Sequence, residues 1–305
     1  MAEYVTRRTL RLVLVLLGVV TIVFFTSRLT GDPATMIFGT TTTDAEIAAY
    51  RTAMGWDQPV LLQYFAFLGA LARLDLGDSF YYRQSALTVV LERMPATIEL
   101  AFAALAFAII SGMIAGITAA IFRGTILDTL IMSTTIFWRS MPIFWSALML
   151  IFVFSVQLRW LPSLGRESLL HLILPAFSLG VIQSAQIARL ARSSMVDVLG
   201  LDFIRTATAK GVARRVVVLK HALRNALLPV ITLVGLQLGA LLGGAVIAET
   251  IFSWPGVGRL VITAILQRDF PVVQAAVLLI AFMFVAINLL IDLLYPLIDP
   301  RVAYA

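Results

Sequence analysis

The sequence predicts an all-α membrane protein with six transmembrane helices. Of its 305 residues, 60% are hydrophobic and only 13% are charged, and the apolar residues gather in long runs. Soluble domains carry about 25% charged residues, so this chain lacks the charge to cover a soluble surface. A helix needs about 20 apolar residues to cross a bilayer. Counted in this way, the predicted spans are residues 9–29, 96–122, 128–156, 169–190, 226–248 and 272–296.

The basic residues predict the orientation of these spans. Arg7 and Arg8 precede the first span, and Lys and Arg side chains are concentrated in the loop 191–225 between the fourth and fifth. Because basic loops stay in the cytoplasm, both termini and this loop are predicted to be cytoplasmic. The net charge of +6 is therefore explained by topology, and it does not indicate nucleic-acid binding.

The same pattern divides the chain into three parts. Residues 1–30 form a cytoplasmic tail and the first span, residues 31–95 form an external helical segment, and residues 96–305 form the transmembrane core. In the external segment, Thr43 and Glu46 have the spacing of a capping box at a helix start. The segment is interpreted either as a contact surface for an external partner or as a helical cap lying on the membrane.

The loop 191–225 contains an alanine- and threonine-rich stretch, 203–211, that has the composition of a short helix and ends at a glycine. Such a helix lies in water between two spans, yet it carries the apolar residues Phe203, Ile204 and Ala207. The loop is therefore predicted to dock onto a cytoplasmic partner.

Several polar residues fall inside predicted spans. Arg139 either lines a translocation path, where it attracts an anion such as a peptide carboxylate, or extends from the helix end towards water. The amides of Gln183, Gln186 and Gln237 either face the substrate or form hydrogen bonds between helices.

Glycines recur at every fourth position in two spans. Gly235, Gly239 and Gly243 lie in the fifth span, and Gly112 and Gly116 lie in the second. Glycine at this spacing makes a flat ridge that another helix can approach closely. These positions are predicted to be helix-packing sites, with the partner helix in this chain or another.

Most enzyme classes lack support in this sequence. There are no cysteines and two histidines, and no glycine-rich P-loop or other catalytic motif occurs, so the chain is predicted to be neither an ATPase nor another enzyme. The membrane acids, such as Glu249 and Asp128, fall near span ends, whereas a proton- or sodium-coupled carrier more often has them at mid-membrane. A stand-alone secondary carrier and a membrane enzyme nevertheless remain the alternatives from other classes.

Several longer motifs occur together and in order along the chain. They are Gly31-Asp-Pro-Ala34, Leu74-Asp-Leu-Gly-Asp-Ser79, Arg93-Met-Pro-Ala-Thr-Ile-Glu99, Arg205-Thr-Ala-x-Ala-Lys-Gly211, His221-Ala-Leu-Arg-Asn225 and Ile251-Phe-Ser-Trp-Pro-Gly-Val-Gly-Arg259. With these motifs the chain resembles, over nearly its whole length, the DppB/OppB-type permease subunits of bacterial ABC importers for dipeptides, oligopeptides, nickel and glutathione.

The resemblance implies a type I importer fold in the bacterial inner membrane. The implied partners are a second, homologous permease chain, two ATP-binding subunits and an extracytoplasmic substrate-binding protein. No cofactor is implied in this chain, since ATP and Mg would bind to the ATPase subunits. Peptides are the implied substrate, with nickel and glutathione as alternatives.

The resemblance also assigns two sets of residues. The residues implied to couple to the ATPase are Phe203, Arg205, Thr206, Ala207, Ala209, Lys210 and Gly211. The glutamate that importer permeases commonly carry in this loop is replaced here by Arg205. The loop residues implied to meet the binding protein are Trp254, Pro255, Gly256, Gly258 and Arg259.

Overall fold

A computed structural model describes residues 2–29, 43–53 and 55–298. Within these ranges the secondary structure is helical, and strand pairing is limited to one isolated bridge between Asp78 and Ser85. The first helices are α1 (Ala2–Leu29), α2 (Asp44–Ala53), α3 (Val60–Ala72), α4 (Ala86–Ile121), α5 (Ile126–Ser140) and α6 (Ile143–Leu150), which continues as a π-helix (Ile151–Gln157). They are followed by α7 (Leu169–Leu199), α8 (Asp202–Ala209), α9 (Arg214–Val216), a π-helix (Val217–Ala222), α10 (Leu223–Gly244), α11 (Val246–Ile251), α12 (Val257–Leu266) and α13 (Phe270–Ile298).

The all-α prediction is confirmed, and the predicted spans correspond to these helices with two differences. In the described part of the chain, four helical segments are long and apolar enough to cross a membrane, or up to five if α5 and the helix after it count as one broken span. The first predicted span corresponds to the shorter apolar stretch Leu12–Arg28 of α1.

The predicted span over 128–156 is broken near its middle. The helix stops at Ser140 and restarts at Ile143, and the two segments are bent by 103°. Proline disfavours the helical region for the residue before it, and Met141 has an extended backbone (φ −78°, ψ 132°). Pro142, which has no N–H, then precedes the first residue of α6.

Helices α4 and α7 form the central pair of the fold, and glycine allows their close contact. A Cβ atom added to Gly116 would lie 2.5 Å from the carbonyl oxygen of Ala188, and one added to Gly112 would lie 2.8 Å from that of Ser184. Gly180 on α7 has the same relationship to the Ala104 carbonyl. These contacts advance together along both helices, so α4 and α7 run parallel with their backbones almost touching.

The glycines of the fifth predicted span face the last helix of the same chain. A Cβ atom at Gly235 would lie 3.0 Å from Ile291, and one at Gly239 would lie 3.1 Å from Phe284. At Gly243 the nearest atom, in Ile280, is 3.9 Å away, which is ordinary contact. Helices α10 and α13 therefore pack antiparallel, closest at the first two glycines.

The bundle has two distinct ends. Thr97 and Ala120 lie on α4, separated by ~35 Å of helix. Ala120 belongs to a buried apolar cluster with Met195 and Ile204, which marks the α8 end. Thr97 contacts the segment around α11 and α12, which marks the opposite end.

Candidate functional site

At the α8 end, a short helix lies across the ends of the long helices. Leu201 precedes α8 with an extended backbone, and Gly211 follows it with φ +77°. That left-handed conformation favours glycine, which explains the glycine at this position. Ile204 is 5% exposed and packs in the cluster with Met195, Val217 and Val218. The helix is thus held by one apolar anchor on its inner face.

The outer face of α8 is open to solvent and mixes apolar and basic groups. Phe203 is 42% exposed. The other predicted coupling residues that are exposed are Arg205, Thr206, Ala209, Lys210 and Gly211, whereas Ala207 is half-buried beside the anchor cluster. Ile204 had been expected on the docking surface, and that expectation was wrong because its side chain anchors the helix to the bundle.

An ion pair that sequence reasoning missed lies close to this cluster. The Nε and Nη2 atoms of Arg192 each donate a 2.6 Å hydrogen bond to one carboxylate oxygen of Asp128. Asp128 also accepts from the Gly124 backbone N–H at 3.0 Å, and its side chain is 7% exposed. The pair joins the first turn of α5 to α7. No spacing signals it in the sequence, since the partners are 64 residues apart.

The four residues considered for a path occupy different environments. Arg139 is exposed in the last turn of α5, directly before the break. Gln183 and Gln186 are half-buried on α7. Gln237 is 4% exposed, and its side-chain N–H donates to the Gln183 carbonyl at 3.4 Å, so it links α10 to α7. Arg139 takes no part in this hydrogen bond between Gln237 and Gln183.

At the opposite end, a buried carboxylate organises the loop between α11 and α12. Glu249 is 0% exposed. It accepts from the Thr97 hydroxyl at 2.7 Å and from the Arg259 backbone N–H at 3.0 Å, with a further bond from the Gly258 N–H. Those two N–H groups belong to the first turn of α12, where helix N–H groups lack partners within the helix. Glu249 therefore caps α12 from outside, and burial raises its pKa.

The motif around Trp254 is largely buried in the bundle. Trp254 is 0% exposed, and its indole N–H donates to the Ala96 carbonyl at 2.8 Å. Gly256 and Gly258 are also buried, packed against the Glu249 carboxylate. Trp254, which was expected to meet a binding protein, is therefore buried inside the bundle. Of the five residues expected to meet a binding protein, Pro255 and Arg259 are half-buried and reach the surface.

A second buried carboxylate fixes the other end of α12. Asp269 is 0% exposed and accepts hydrogen bonds from the Ser79 hydroxyl and from the backbone N–H groups of Phe80 and Tyr81. The loop after α3 is thereby tied to the turn between α12 and α13. In the part of the chain that the structure describes, no three potential metal-ligating side chains come together.

Comparison with known proteins identifies the family. Residues 109–304 match the family described as the binding-protein-dependent transport system inner membrane component, and residues 1–101 match its N-terminal region. The chain belongs to this family. It is a permease subunit of an ABC importer and contains no ATPase site of its own.

Full-length relatives support the assignment. The permease is 43% identical to the dipeptide transport system permease protein DppB of Alkalihalophilus pseudofirmus over 100% of both chains. It is 43% identical to the glutathione transport system permease protein GsiC of Escherichia coli, again over 100% of both. It is 42% identical to the di/tripeptide transport system permease protein DppB of Pseudomonas aeruginosa, over 100% of this chain and 99% of the relative.

Solved structures show the same fold at lower identity. The MetNI methionine ABC transporter in an inward-facing conformation aligns with a TM-score of 0.59 and 17% identity, covering 69% of the permease and 96% of the solved chain. An amino acid ABC transporter aligns with a TM-score of 0.51 and 14% identity, covering 70% and 94%.

Proposed function

We propose that this permease, paired with a second permease chain, forms the path by which small peptides enter the bacterial cytoplasm. The relatives named for dipeptides, di/tripeptides and glutathione share one substrate chemistry, a short peptide with a carboxylate and an ammonium group. That common chemistry favours peptides over nickel as the cargo. The substrate itself is delivered by an extracytoplasmic binding protein.

Energy comes from two ATP-binding subunits, which bind ATP and Mg and dock on α8. The observation that carries this proposal is the division of α8 into an anchored inner face and an exposed outer face. Because Ile204 is fixed in the cluster of long helices, a push on Phe203 and Arg205 reaches the ends of α7 and α10. The α8 end is thus cytoplasmic, as the basic loop predicts.

The break between α5 and α6 supports a path next to Arg139. Backbone groups without helical partners are tolerated at membrane depth only where protein or water satisfies them. Arg139 is exposed directly before this break and has no hydrogen bond or ion pair to any residue of the described chain. A wet path beside the break satisfies both the free backbone carbonyls and the guanidinium, which then attracts the peptide carboxylate.

Phe203→Ala tests the coupling proposal. The complex is purified in mild detergent, reconstituted in liposomes with its binding protein, and assayed for ATP-dependent uptake of a dipeptide. We expect F203A to reduce recovery of the ATPase subunits and to reduce uptake. Phe102→Ala is the matched control, because Phe102 is 55% exposed on α4 near the opposite end. Equal uptake by F203A and wild type contradicts the assignment of α8, and uptake by the isolated chain without an ATPase contradicts the importer.

A further inference from the structure

A polar pocket lies at the opposite end of the bundle, between α4, α12 and the loop before α4. Its volume is about 220 Å³, and it is lined by Tyr82, Arg93, Pro255, Gly256, Arg259, Leu260 and Thr263. Small-molecule sites are usually about 300–1,000 Å³. The pocket is therefore suited to one functional group and too small for a whole dipeptide.

Two arginines, Arg93 and Arg259, make this pocket positively charged. Arg93 is half-buried and has no ion pair or hydrogen bond to any residue that the structure describes. Arg259 donates from one guanidinium nitrogen to the Ser253 carbonyl at 2.7 Å, which fixes its side chain and leaves its charge without a carboxylate partner. Two partly buried guanidinium groups in one pocket favour an anion, and the guanidinium fork matches a carboxylate.

The two buried acids at this end of the bundle, Glu249 and Asp269, form no ion pair with the pocket arginines. Glu249 lies behind Gly256 but is occupied by the Thr97 hydroxyl and the backbone N–H groups of α12. Asp269 is occupied by Ser79 and the backbone after it. Both carboxylates instead hold the two ends of α12 in place, so the pocket wall is preorganised for binding.

We infer that the Arg93–Arg259 pocket receives an aspartate or glutamate side chain of the extracytoplasmic binding protein. This inference rests on the proposed function, which places the pocket on the side where that protein approaches. Charge complementarity selects an acidic group, the volume limits it to a single side chain, and the position beside the half-buried Pro255 makes it reachable from outside the bundle. The pocket thus fixes the register of the docked protein.

The soluble binding protein is first recovered together with the wild-type complex. Its affinity for the wild-type and variant complexes in nanodiscs is then measured. We expect Arg93→Gln to weaken binding by about tenfold or more, and to flatten its dependence on NaCl, because a charge pair is removed. Arg93→Lys keeps the charge without the fork and should fall between wild type and R93Q. Arg123→Gln, at an exposed arginine just after α4 at the opposite, α8 end of the bundle, is the control and should bind like wild type. An unchanged melting temperature of R93Q establishes that the variant is folded.

Equal affinity of R93Q and wild type overturns the inference while leaving the importer intact. Normal binding of the binding protein to R93Q combined with loss of dipeptide uptake also overturns it, because the pocket then binds the substrate carboxylate. Comparing a dipeptide with its C-terminal amide identifies that outcome. Failure of the wild-type complex to bind any recovered protein or to take up dipeptide contradicts the proposed function itself, and with it the inference.

Discussion

The Thr97 hydroxyl donates a 2.7 Å hydrogen bond to the carboxylate of Glu249, 152 residues later in the chain. The same hydroxyl oxygen accepts from the Val257 backbone N–H at 2.8 Å. A single buried side chain on α4 therefore satisfies groups on both sides of the loop that carries Trp254.

This arrangement predicts a large difference between two substitutions of Thr97. Thr97→Val has nearly the same shape but leaves the Val257 N–H and one Glu249 oxygen without a partner in a buried site. Each unpaired group costs about 1–3 kcal/mol, so T97V should clearly lower the melting temperature in detergent. Thr97→Ser keeps the hydroxyl and should stay close to wild type. Equal melting temperatures for the two variants would show that the hydroxyl does not support the loop.

Glu249, which lies after the membrane-spanning part of α10, predicts a pH dependence of stability. Burial raises its pKa above the value of 4.5 for an ordinary glutamate, against the opposing effect of its hydrogen bonds to Thr97, Arg259 and Gly258. The folded chain thus keeps the proton at pH values where the unfolded chain has released it. Stability from this group is fully present below pH 4.5 and is lost as the pH rises through the folded pKa.

Glu249→Gln removes the titrating group and should remove this component. Melting curves of wild type and E249Q over pH 4–8 check it: the difference in melting temperature should move in favour of E249Q as the pH rises. A constant difference across the range is incompatible with a raised pKa. Taking the difference cancels the effects of other titrating groups.

The contact between α4 and α7 predicts that Gly116→Ala is destabilising. The new methyl group would meet the Ala188 carbonyl and the Ala191 side chain, so the helices must separate, at a cost of about 1–3 kcal/mol. Gly243→Ala is the control, because its nearest atom is 3.9 Å away and alanine favours a helix by up to ~1 kcal/mol. Thermal unfolding in detergent measures both, and a loss at Gly243 as large as that at Gly116 would refute the proposed close contact.

Two ion pairs of the described chain, Arg192–Asp128 and Arg166–Glu99, should respond differently to neutralisation. Asp128→Asn breaks the two-pronged bond to Arg192 at a buried site and should cost about 1–3 kcal/mol. Glu99→Gln breaks the pair with Arg166, whose side chains are 33% and 39% exposed, and should cost less than about 1 kcal/mol. Melting temperatures of both variants and of wild type test this order, and the reverse order would disprove it.

The sequence predicted the helices well because apolar run length alone decides most of them. It also predicted the short helix α8, since an alanine- and threonine-rich stretch ending in glycine is a local signal. The size of the bend at Pro142 could not be predicted, because the angle depends on what packs against each half.

The buried polar contacts were beyond local reasoning. Glu249 was read as an acid near a span end, and nothing within a few residues shows that Thr97 reaches it. Trp254 was expected to meet a binding protein, whereas its indole N–H donates to the Ala96 carbonyl in the interior. Such pairs form when segments that are distant in the chain pack together, and a single sequence does not show which distant residues become neighbours.

The parallel contact of α4 and α7 has a mechanical consequence. Two helices whose backbones touch through glycine cannot slide or bend separately without breaking contact, so they behave as one stiff beam. Helix α7 has 31 residues and a length of ~45 Å, and its last turns contact the apolar anchor of α8. A tilt of this beam by ~5° at one end moves the other end by ~4 Å over that length, enough to turn a small push on one side of the membrane into the opening of a gap on the other.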